Sequence, residues 1–283
     1  MAETIADALR AATERLGATS DTARLDAELL MAHALGVSRS DLLLRYMRDG
    51  VPSAFAPLVE RRAAREPVTH IVGEQEFYGR AFRVTPDTLI PRGDSEVLVE
   101  AALALDPRPN RVLDLGTGTG ALLLSVLADS EASGVATDRS AAALDVARGN
   151  AERLGLAARA RFERRDWHKA GWADDLGVFD CVLCNPPYVE ADAALDPDVR
   201  YYEPASALFA GPDGLDDYRA LMPQLSALLT ESGVAIFEIG SGQADAVGAL
   251  AAKAGFSAEL RRDLAGRPRA LILTRSLAPE NTR

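Results

Sequence analysis

Arg111-Val112-Leu113-Asp114-Leu115-Gly116-Thr117-Gly118-Thr119-Gly120 is a short apolar run that closes on a turn with three glycines, and Ala121-Leu122-Leu123-Leu124 follows it directly. Strand, glycine turn and helix in that order open a parallel α/β unit, whose ligand end lies beyond the carboxyl end of the strand. The alternation continues downstream, predicting strands over residues 111–115, 133–137, 160–164, 179–184 and 234–239. Ser140 reads as the N-cap of a helix ending near Gly155. Two further extended stretches, 257–261 and 270–274, flank Leu264-Ala265-Gly266. That connection is too short for a helical crossover, so these two strands are expected to pair antiparallel. The fold class is therefore α/β, a Rossmann-like domain with a mostly parallel sheet and an antiparallel edge strand.

Upstream the texture changes. Ile5, Leu9, Ala12 and Leu16 recur at helical spacing, and a second helix is predicted over 23–35, with Ser20 or Asp21 near its start and Gly36 just past its end. Ser40 is expected to cap a helix over 41–47, and Ser53 one that carries Phe55, Leu58 and Val59. Aromatic and β-branched residues around Gly79, in the stretch from Glu76 to Val84, predict a hairpin. A helix from Asp94 or Ser95 through Leu105 leads into the α/β part. The expected division is a small all-α domain (1–72), a β-hairpin linker (73–93) and the α/β domain (94–283).

The chain of 283 residues is 48% hydrophobic and 26% charged, which places it among ordinary globular proteins. No apolar run is long enough to span a bilayer, and the Met1-Ala2-Glu3-Thr4 start lacks a basic n-region, so a cytoplasmic location without membrane contact is expected. The net charge of −11 argues against duplex nucleic acid as the main partner, because phosphate neutralisation demands a basic surface. Cys181 and Cys184 form a C-x-x-C pair. On a strand, residues three apart point to opposite faces and no second Cys/His pair exists, so both are read as core residues and no metal is expected.

Site residues fall at successive strand ends. Gly116, Thr117, Gly118, Thr119 and Gly120 follow the first strand, where missing Cβ atoms let backbone approach a ligand. The G-x-G-x-G spacing differs from the dinucleotide G-x-G-x-x-G, and a tight strand-to-helix connection would use the same residues. Asp138, 22 positions beyond Gly116, can accept ribose hydroxyls or serve as a helix N-terminal acid. Asp166 and Trp167 end the third strand; a carboxylate can accept from an exocyclic amine and an indole can pack on a purine. Glycines, a ribose acid and an adenine-binding pair, without a second phosphate-binding element, describe S-adenosylmethionine better than a nicotinamide.

After the fourth strand comes Asn185-Pro186-Pro187-Tyr188. A planar amide or aromatic amine nitrogen is a weak nucleophile because resonance holds its lone pair. Asn185 through its side-chain oxygen and Pro186 through its carbonyl can accept the N–H bonds of such a group and stabilise the charge that develops during attack. The prolines fix the chain and lack competing N–H groups. Tyr188 can stack on the flat substrate. Asn185, Pro186 and Tyr188 are thus the candidate catalytic residues. As a bare motif, the tetrapeptide also reads as a rigid turn.

With these residues in place the chain resembles the bacterial-type peptide chain release factor glutamine N5-methyltransferases over nearly its whole length. The resemblance rests on Arg24-Leu25-Asp26-Ala27-Glu28-Leu29-Leu30, Arg65-Glu66-Pro67-Val68-Thr69-His70-Ile71-Val72-Gly73, Glu76-Phe77-Tyr78-Gly79 and Leu89-Ile90-Pro91-Arg92. It continues through Tyr202-Glu203-Pro204, Asp213-Gly214-Leu215-Asp216, Glu238-Ile239-Gly240 and Asp263-Leu264-Ala265-Gly266-Arg267. It implies a class I methyltransferase fold and methylation of the Gly-Gly-Gln glutamine of class I release factors. S-adenosyl-L-methionine would be the donor and S-adenosyl-L-homocysteine the product. The helical domain would grip the release factor, with the glycine turn, Asp138, Trp167 and Asn185 at cofactor positions and Asn185 to Tyr188 at the glutamine. One departure stands out: after Pro91-Arg92 the family usually continues Pro-Glu-Thr-Glu, and here Gly93-Asp94-Ser95-Glu96 replaces it.

The tetrapeptide alone is shared with adenine and guanine amino-methyltransferases, which should carry a basic target-recognition domain. A glutamine methyltransferase of a ribosomal protein would share most of the pocket. A non-catalytic release factor binder would have no use for the filled cofactor and catalytic positions.

Overall fold

The computed structural model describes residues 3–276. They form two compact units: the chain up to Glu74 together with Leu195–Tyr202, and Gln75–Ala194 together with the chain from Glu203 onward.

The first unit is helical. Helix α1 (Ile5–Leu16) starts at a capping box in which the Thr4 hydroxyl accepts from the Asp7 N–H and the Asp7 carboxylate accepts from the Thr4 N–H. In α2 (Ala23–Leu35), Gly36 closes the helix in the left-handed conformation. Neither Ser20 nor Asp21 caps its start; the Ser20 and Thr22 hydroxyls donate to Asp26, 2.7 and 2.8 Å away. Ser38, rather than Ser40, caps α3 (Arg39–Asp41), its hydroxyl accepting from the Asp41 N–H at 3.0 Å. The helix continues as a wide π turn over Leu42–Tyr46. Ser53 caps nothing, because α4 (Phe55–Ala63) begins at Ala54 with its first N–H bonded to the Pro52 carbonyl. The short α5 is Val68–Val72. Buried Arg62 sits between Asp26 and Asp198, 2.7 Å from each, while buried Glu28 accepts from Arg24 and Arg39. A buried charge is tolerated only when paired and hydrogen-bonded, which accounts for the acids in the Arg24–Leu30 motif.

A hairpin of β1 (Glu74–Phe77) and β2 (Arg80–Arg83) follows, and the second unit begins at Gln75 within β1. Tyr78 and Gly79 both have positive φ, as a two-residue type I′ turn requires. A 3₁₀ turn over Gly93–Ser95 leads into α6 (Glu96–Leu103), shorter than the expected run to Leu105. Then come β3 (Arg111–Leu115), α7 (Ala121–Ala128), β4 (Ser133–Asp138), α8 (Ala141–Arg153, capped by Ser140 as expected), β5 (Ala160–Arg164) and β6 (Phe179–Cys184). Helix α9 (Pro197–Tyr202) belongs to the first unit. The chain ends with α10 (Asp216–Leu221), α11 (Leu225–Leu228), β7 (Leu229–Glu238), α12 (Ala244–Lys253), β8 (Phe256–Arg262) and β9 (Pro268–Arg275).

Seven strands lie in the order β5-β4-β3-β6-β7-β9-β8. All pairs from β5 to β7 are parallel; β9 runs antiparallel to both β7 and β8 and sits one place in from the β8 edge. Strand β7 starts five residues earlier than its sequence suggested, because the Ser232-Gly233 turn signal is absorbed by a bulge against β6 between Phe179 and Cys181. Apolar layers cover both sheet faces, with Cys181 and Leu183 in one and Val182 and Cys184 in the other. Both cysteines are fully buried, and burial raises the Cys181 thiol to about 12, so they are core thiols.

Register places the site. Leu115 lies opposite Thr137 on one side and Cys184 on the other, and Cys184 lies opposite Phe237. Gly116, Asp138, Asn185 and Glu238 therefore emerge side by side from four adjacent strand ends.

Asn150 of α8 holds the hairpin to this end of the sheet. Its side-chain oxygen accepts from the Arg83 N–H at 2.8 Å, and its Nδ2 donates to the Arg83 and Thr119 carbonyls at 3.0 and 2.9 Å. Removing a buried partner strands the groups it served at about 1–3 kcal/mol. We expect Asn150→Ala to lower stability by about 2–3 kcal/mol, read from the urea unfolding midpoint at unchanged m. A shift within about 0.5 kcal/mol would mean that water replaces the side chain at no cost.

Candidate active site

Beyond the carboxyl ends of β3, β4 and β6 the second unit holds a cleft of about 930 Å³, open solvent included. Its wall includes Gly116, Thr117, Gly118, Thr119, Asp138, Trp167, Asn185 and Pro187, eight of the residues expected from sequence. Gly120, Asp166, Pro186 and Tyr188 do not line it.

The glycine turn is built by its own backbone. Gly116, Gly118 and Gly120 all have positive φ, and the Gly116 and Thr117 N–H groups both donate to the Thr137 carbonyl at 2.9 Å. A Cβ on Gly116 would sit 3.0 Å from the Trp167 ring, and one on Gly120 would sit 2.9 Å from Leu124, whereas Gly118 faces open space. The turn is thus both a tight connection and a cradle. Beneath it lies Asp114, 1% exposed, accepting from the Thr117 hydroxyl at 2.6 Å through Oδ2, with no partner for Oδ1 among the described residues. Burial raises its pKa from 3.8 to about 7, partly offset by the Thr117 bond.

Asp138 accepts from the Gly118 N–H at 3.0 Å and the Ser140 N–H at 2.9 Å, one bond per oxygen. Burial raises its pKa and these bonds hold it down. Each carboxylate oxygen keeps lone-pair capacity toward the cavity, as ribose hydroxyls require. Asp138 thus braces the helix start while standing on the cavity wall.

Trp167 is fixed by a residue that sequence reasoning missed. Its Nε1 donates to Asp217 Oδ1 at 2.7 Å, and His168 Nε2 lies 2.9 Å from the same oxygen. Asp217 is 50 residues away in sequence and carries no motif of its own. Asp166 turns from the cavity, accepting from the His168 N–H at 3.1 Å.

The tetrapeptide is held from behind. The Tyr188 carbonyl accepts from Gln243 Nε2 at 3.1 Å, which also donates to the Gly214 carbonyl, and Val189 bonds in both directions with the 208–210 segment. Gly214 has positive φ, and a Cβ there would run into the Tyr188 carbonyl. The Tyr188 hydroxyl donates to Glu238 Oε1 at 3.2 Å, so the ring is tied at its polar end. Asn185 Nδ2 donates to the Ser95 hydroxyl at 3.5 Å. Glu238 is 2% exposed; burial raises its pKa to about 6, against opposing effects of Ser95, Arg269 and Tyr188.

The departure Gly93-Asp94-Ser95-Glu96 now has a structural role. Asp94 pairs with Arg267 and Arg269 at 3.0 and 2.8 Å, Ser95 faces Asn185, and Glu96 accepts from the Tyr78 N–H at 2.8 Å. Gly93 is free of positive φ and of near neighbours, so the missing proline leaves the turn intact. Buried Glu203 accepts from the Ile90 N–H at 3.0 Å and pairs with Arg92, joining two of the sequence motifs.

Comparison with known proteins agrees with this geometry. Residues 7–73 match the family model described as the PrmC N-terminal domain, and residues 108–213 match a methyltransferase domain. A release factor glutamine methyltransferase of Cereibacter sphaeroides is 46% identical, over 93% of this chain and 96% of its own. One from Rhodospirillum rubrum is 43% identical, over 90% and 80%. Among solved structures, a methyltransferase from Pyrococcus furiosus is similar with a TM-score of 0.51 at 17% identity, covering 69% of this chain and 89% of that one, which supports the fold.

Two outcomes follow from the packing. The native state binds the Asp114 proton more tightly than the unfolded chain, so ionisation costs stability as pH rises from 3.8 to about 7, and the cost is in full force above that. Asp114→Asn should therefore raise Tm over the parent at pH 8, with the gain shrinking toward pH 4; a pH-independent difference would remove Asp114 as its source. Gly214→Ala should keep the fold, seen in far-UV circular dichroism, while cutting turnover at least about tenfold by displacing Tyr188. Unchanged turnover would show that the tetrapeptide tolerates the shift.

Proposed function

Because the chain belongs to the release factor glutamine methyltransferase family, we propose that it methylates the side-chain nitrogen (N5) of the Gly-Gly-Gln glutamine in class I release factors. The observation that carries this reading is the emergence of Asn185 between the glycine turn and Glu238, on the wall of the cavity that Asp138 and Trp167 share. S-adenosylmethionine, the family's methyl donor, supplies an electrophilic methyl group when bound.

The chain's own residues do the rest. The glycine turn and Asp138 would hold the ribose end, and Trp167, braced by Asp217, would pack against the purine. Asn185 Oδ1 and the Pro186 carbonyl accept the two amide hydrogens of the glutamine, aim its nitrogen and stabilise the positive charge that develops on it. The nitrogen so held would take the methyl carbon as that carbon's bond to the donor sulfur breaks, leaving a neutral thioether. A proton leaves the alkylated amide afterwards, so no base is required before attack. Among the described residues no helix is long and apolar enough to cross a membrane. The net charge of −11 supports a protein substrate over duplex nucleic acid, and we place the reaction in the cytoplasm, where release factors act.

We assign docking of the release factor to the helical unit, whose residues 7–73 match the family's own N-terminal domain, and choose Leu44, 80% exposed there, to test it. Leu44→Asp should raise KM for a full-length release factor several-fold and leave KM for a short Gly-Gly-Gln peptide unchanged. Equal KM values for the factor would move docking elsewhere.

The decisive measurement is mass spectrometry of a release factor incubated with the enzyme and S-adenosylmethionine. One added methyl on the Gly-Gly-Gln glutamine is expected; transfer to a ribosomal protein or a nucleic acid alone would overturn the substrate. Asn185→Ala should abolish this transfer while changing S-adenosylhomocysteine affinity by no more than a few-fold. Parallel loss of both would make Asn185 a cofactor residue.

A further inference from the structure

Three carboxylates stand on the wall of the cleft: Asp87, Asp138 and Asp217. Asp87 is exposed, and each oxygen of Asp138 already accepts a backbone N–H. Asp217 differs from both. It is 6% exposed, and the Trp167 indole N–H and His168 Nε2 converge on one of its oxygens, Oδ1, at 2.7 and 2.9 Å. Holding an indole takes one acceptor, which an uncharged amide would supply without burying a charge. A carboxylate brings a second oxygen with lone pairs of its own. Oδ2 is that surplus acceptor, on a side chain that lines the cleft beside the Trp167 ring.

We propose that Asp217 is a cofactor-binding residue whose Oδ2 accepts an N–H of the adenine exocyclic amine, so that one carboxylate both fixes the indole and selects the purine. This rests on the reading of the cleft as the S-adenosylmethionine site with Trp167 against the purine. An indole N–H points outward in the ring plane, so the group that accepts it stands at the ring's edge, where a purine stacked on that ring also presents an edge. The carboxylate expected next to Trp167 is therefore Asp217. Asp166 accepts from the His168 N–H and stands off the cleft wall. Asp217 is itself held in place: its neighbour Tyr218 is fully buried and donates its hydroxyl to the Glu238 carbonyl at 2.7 Å, which fixes α10 against β7.

The indole N–H can only donate, and this decides what Asp217→Asn does. The new side-chain oxygen must stay on Trp167, which sends the NH₂ to the place of Oδ2. The position then donates where it had accepted. It opposes a 6-amino group and pairs with a 6-oxo group.

The experiment is calorimetric titration of the full-length protein and of Asp217→Asn with three probes. These are S-adenosylhomocysteine, S-inosylhomocysteine (oxygen in place of the 6-amino group) and 5′-methylthioadenosine, which lacks the amino acid. The parent should prefer the adenosyl over the inosyl compound by at least about tenfold. Asp217→Asn should weaken the adenosyl compound by about tenfold or more and bind the inosyl compound more tightly than the parent does. The loss should be the same for 5′-methylthioadenosine. The Trp167 indole N–H signal, assigned by Trp167→Phe, should stay protected from solvent exchange in Asp217→Asn, which separates a loss at the purine from a loosened indole. An adenosyl-to-inosyl ratio unchanged by Asp217→Asn would overturn the proposal and leave Asp217 as a brace alone. A loss that disappears with 5′-methylthioadenosine would also overturn it, since the contact would then be to the α-ammonium group. A parent that binds none of the probes would sink the cofactor reading itself, an outcome distinct from normal binding with an unchanged ratio.

Discussion

Lateral register across four parallel strands is the constraint on which the rest depends. Because Leu115, Thr137, Cys184 and Phe237 stand in line, the next residue of each strand is delivered to the same edge at the spacing of neighbouring strands. A slip of one residue in any strand would turn its terminal side chain to the opposite face and remove it from the site. The two buried layers enforce the register: Cys181 and Leu183 belong to one, Val182 and Cys184 to the other, and exchange would misfit both. The C-x-x-C pair thus contributes by filling space on either face of β6.

Once register is set, the loops need only short reach, and each is braced by a polar contact of its own. The glycine turn hangs on the Thr137 carbonyl, the tetrapeptide on Gln243, Trp167 on Asp217, and the hairpin on Asn150. One is a backbone carbonyl and three are single buried or half-buried side chains, each serving two or three groups, which is how a loop keeps one conformation without helix or sheet bonding. The price is local: each brace is a position where a small change moves a site residue by a large fraction of an ångström.

Strand periodicity, the glycine turn and the tetrapeptide were legible because they rest on local rules of backbone and side-chain chemistry. Gly116 and Gly118 announced a turn, and the Tyr78-Gly79 hairpin announced itself through its aromatic flanks. Capping was read less well. Ser40 and Ser53 have the right chemistry, yet Ser38 and Ala54 hold the positions, since caps depend on where packing starts the helix. The start of β7 was hidden because Ser232-Gly233 looks like a turn and functions as a bulge. Asp217 and Ser95 were invisible for a different reason: their partners lie 50 and 90 residues away, and no local pattern encodes such a contact. Asp166 shows the converse, a residue with suitable chemistry at a suitable strand end whose side chain is spent on its own turn.

The acidic groups at this end of the sheet divide by environment. Asp138 has two backbone donors to hold its charge at the cavity wall, so it can face ribose hydroxyls as an acceptor. Asp114 and Glu238 are more deeply buried with fewer donors, and both are pushed toward neutral pH, to about 7 and about 6. A methyl transfer that requires no base before attack has little use for a carboxylate touching the substrate. Burial costs stability for Asp114 and Glu238, and each carboxyl is held by one hydroxyl, Thr117 of the glycine turn and Tyr188 of the tetrapeptide, so that both acids brace a loop of the site from behind.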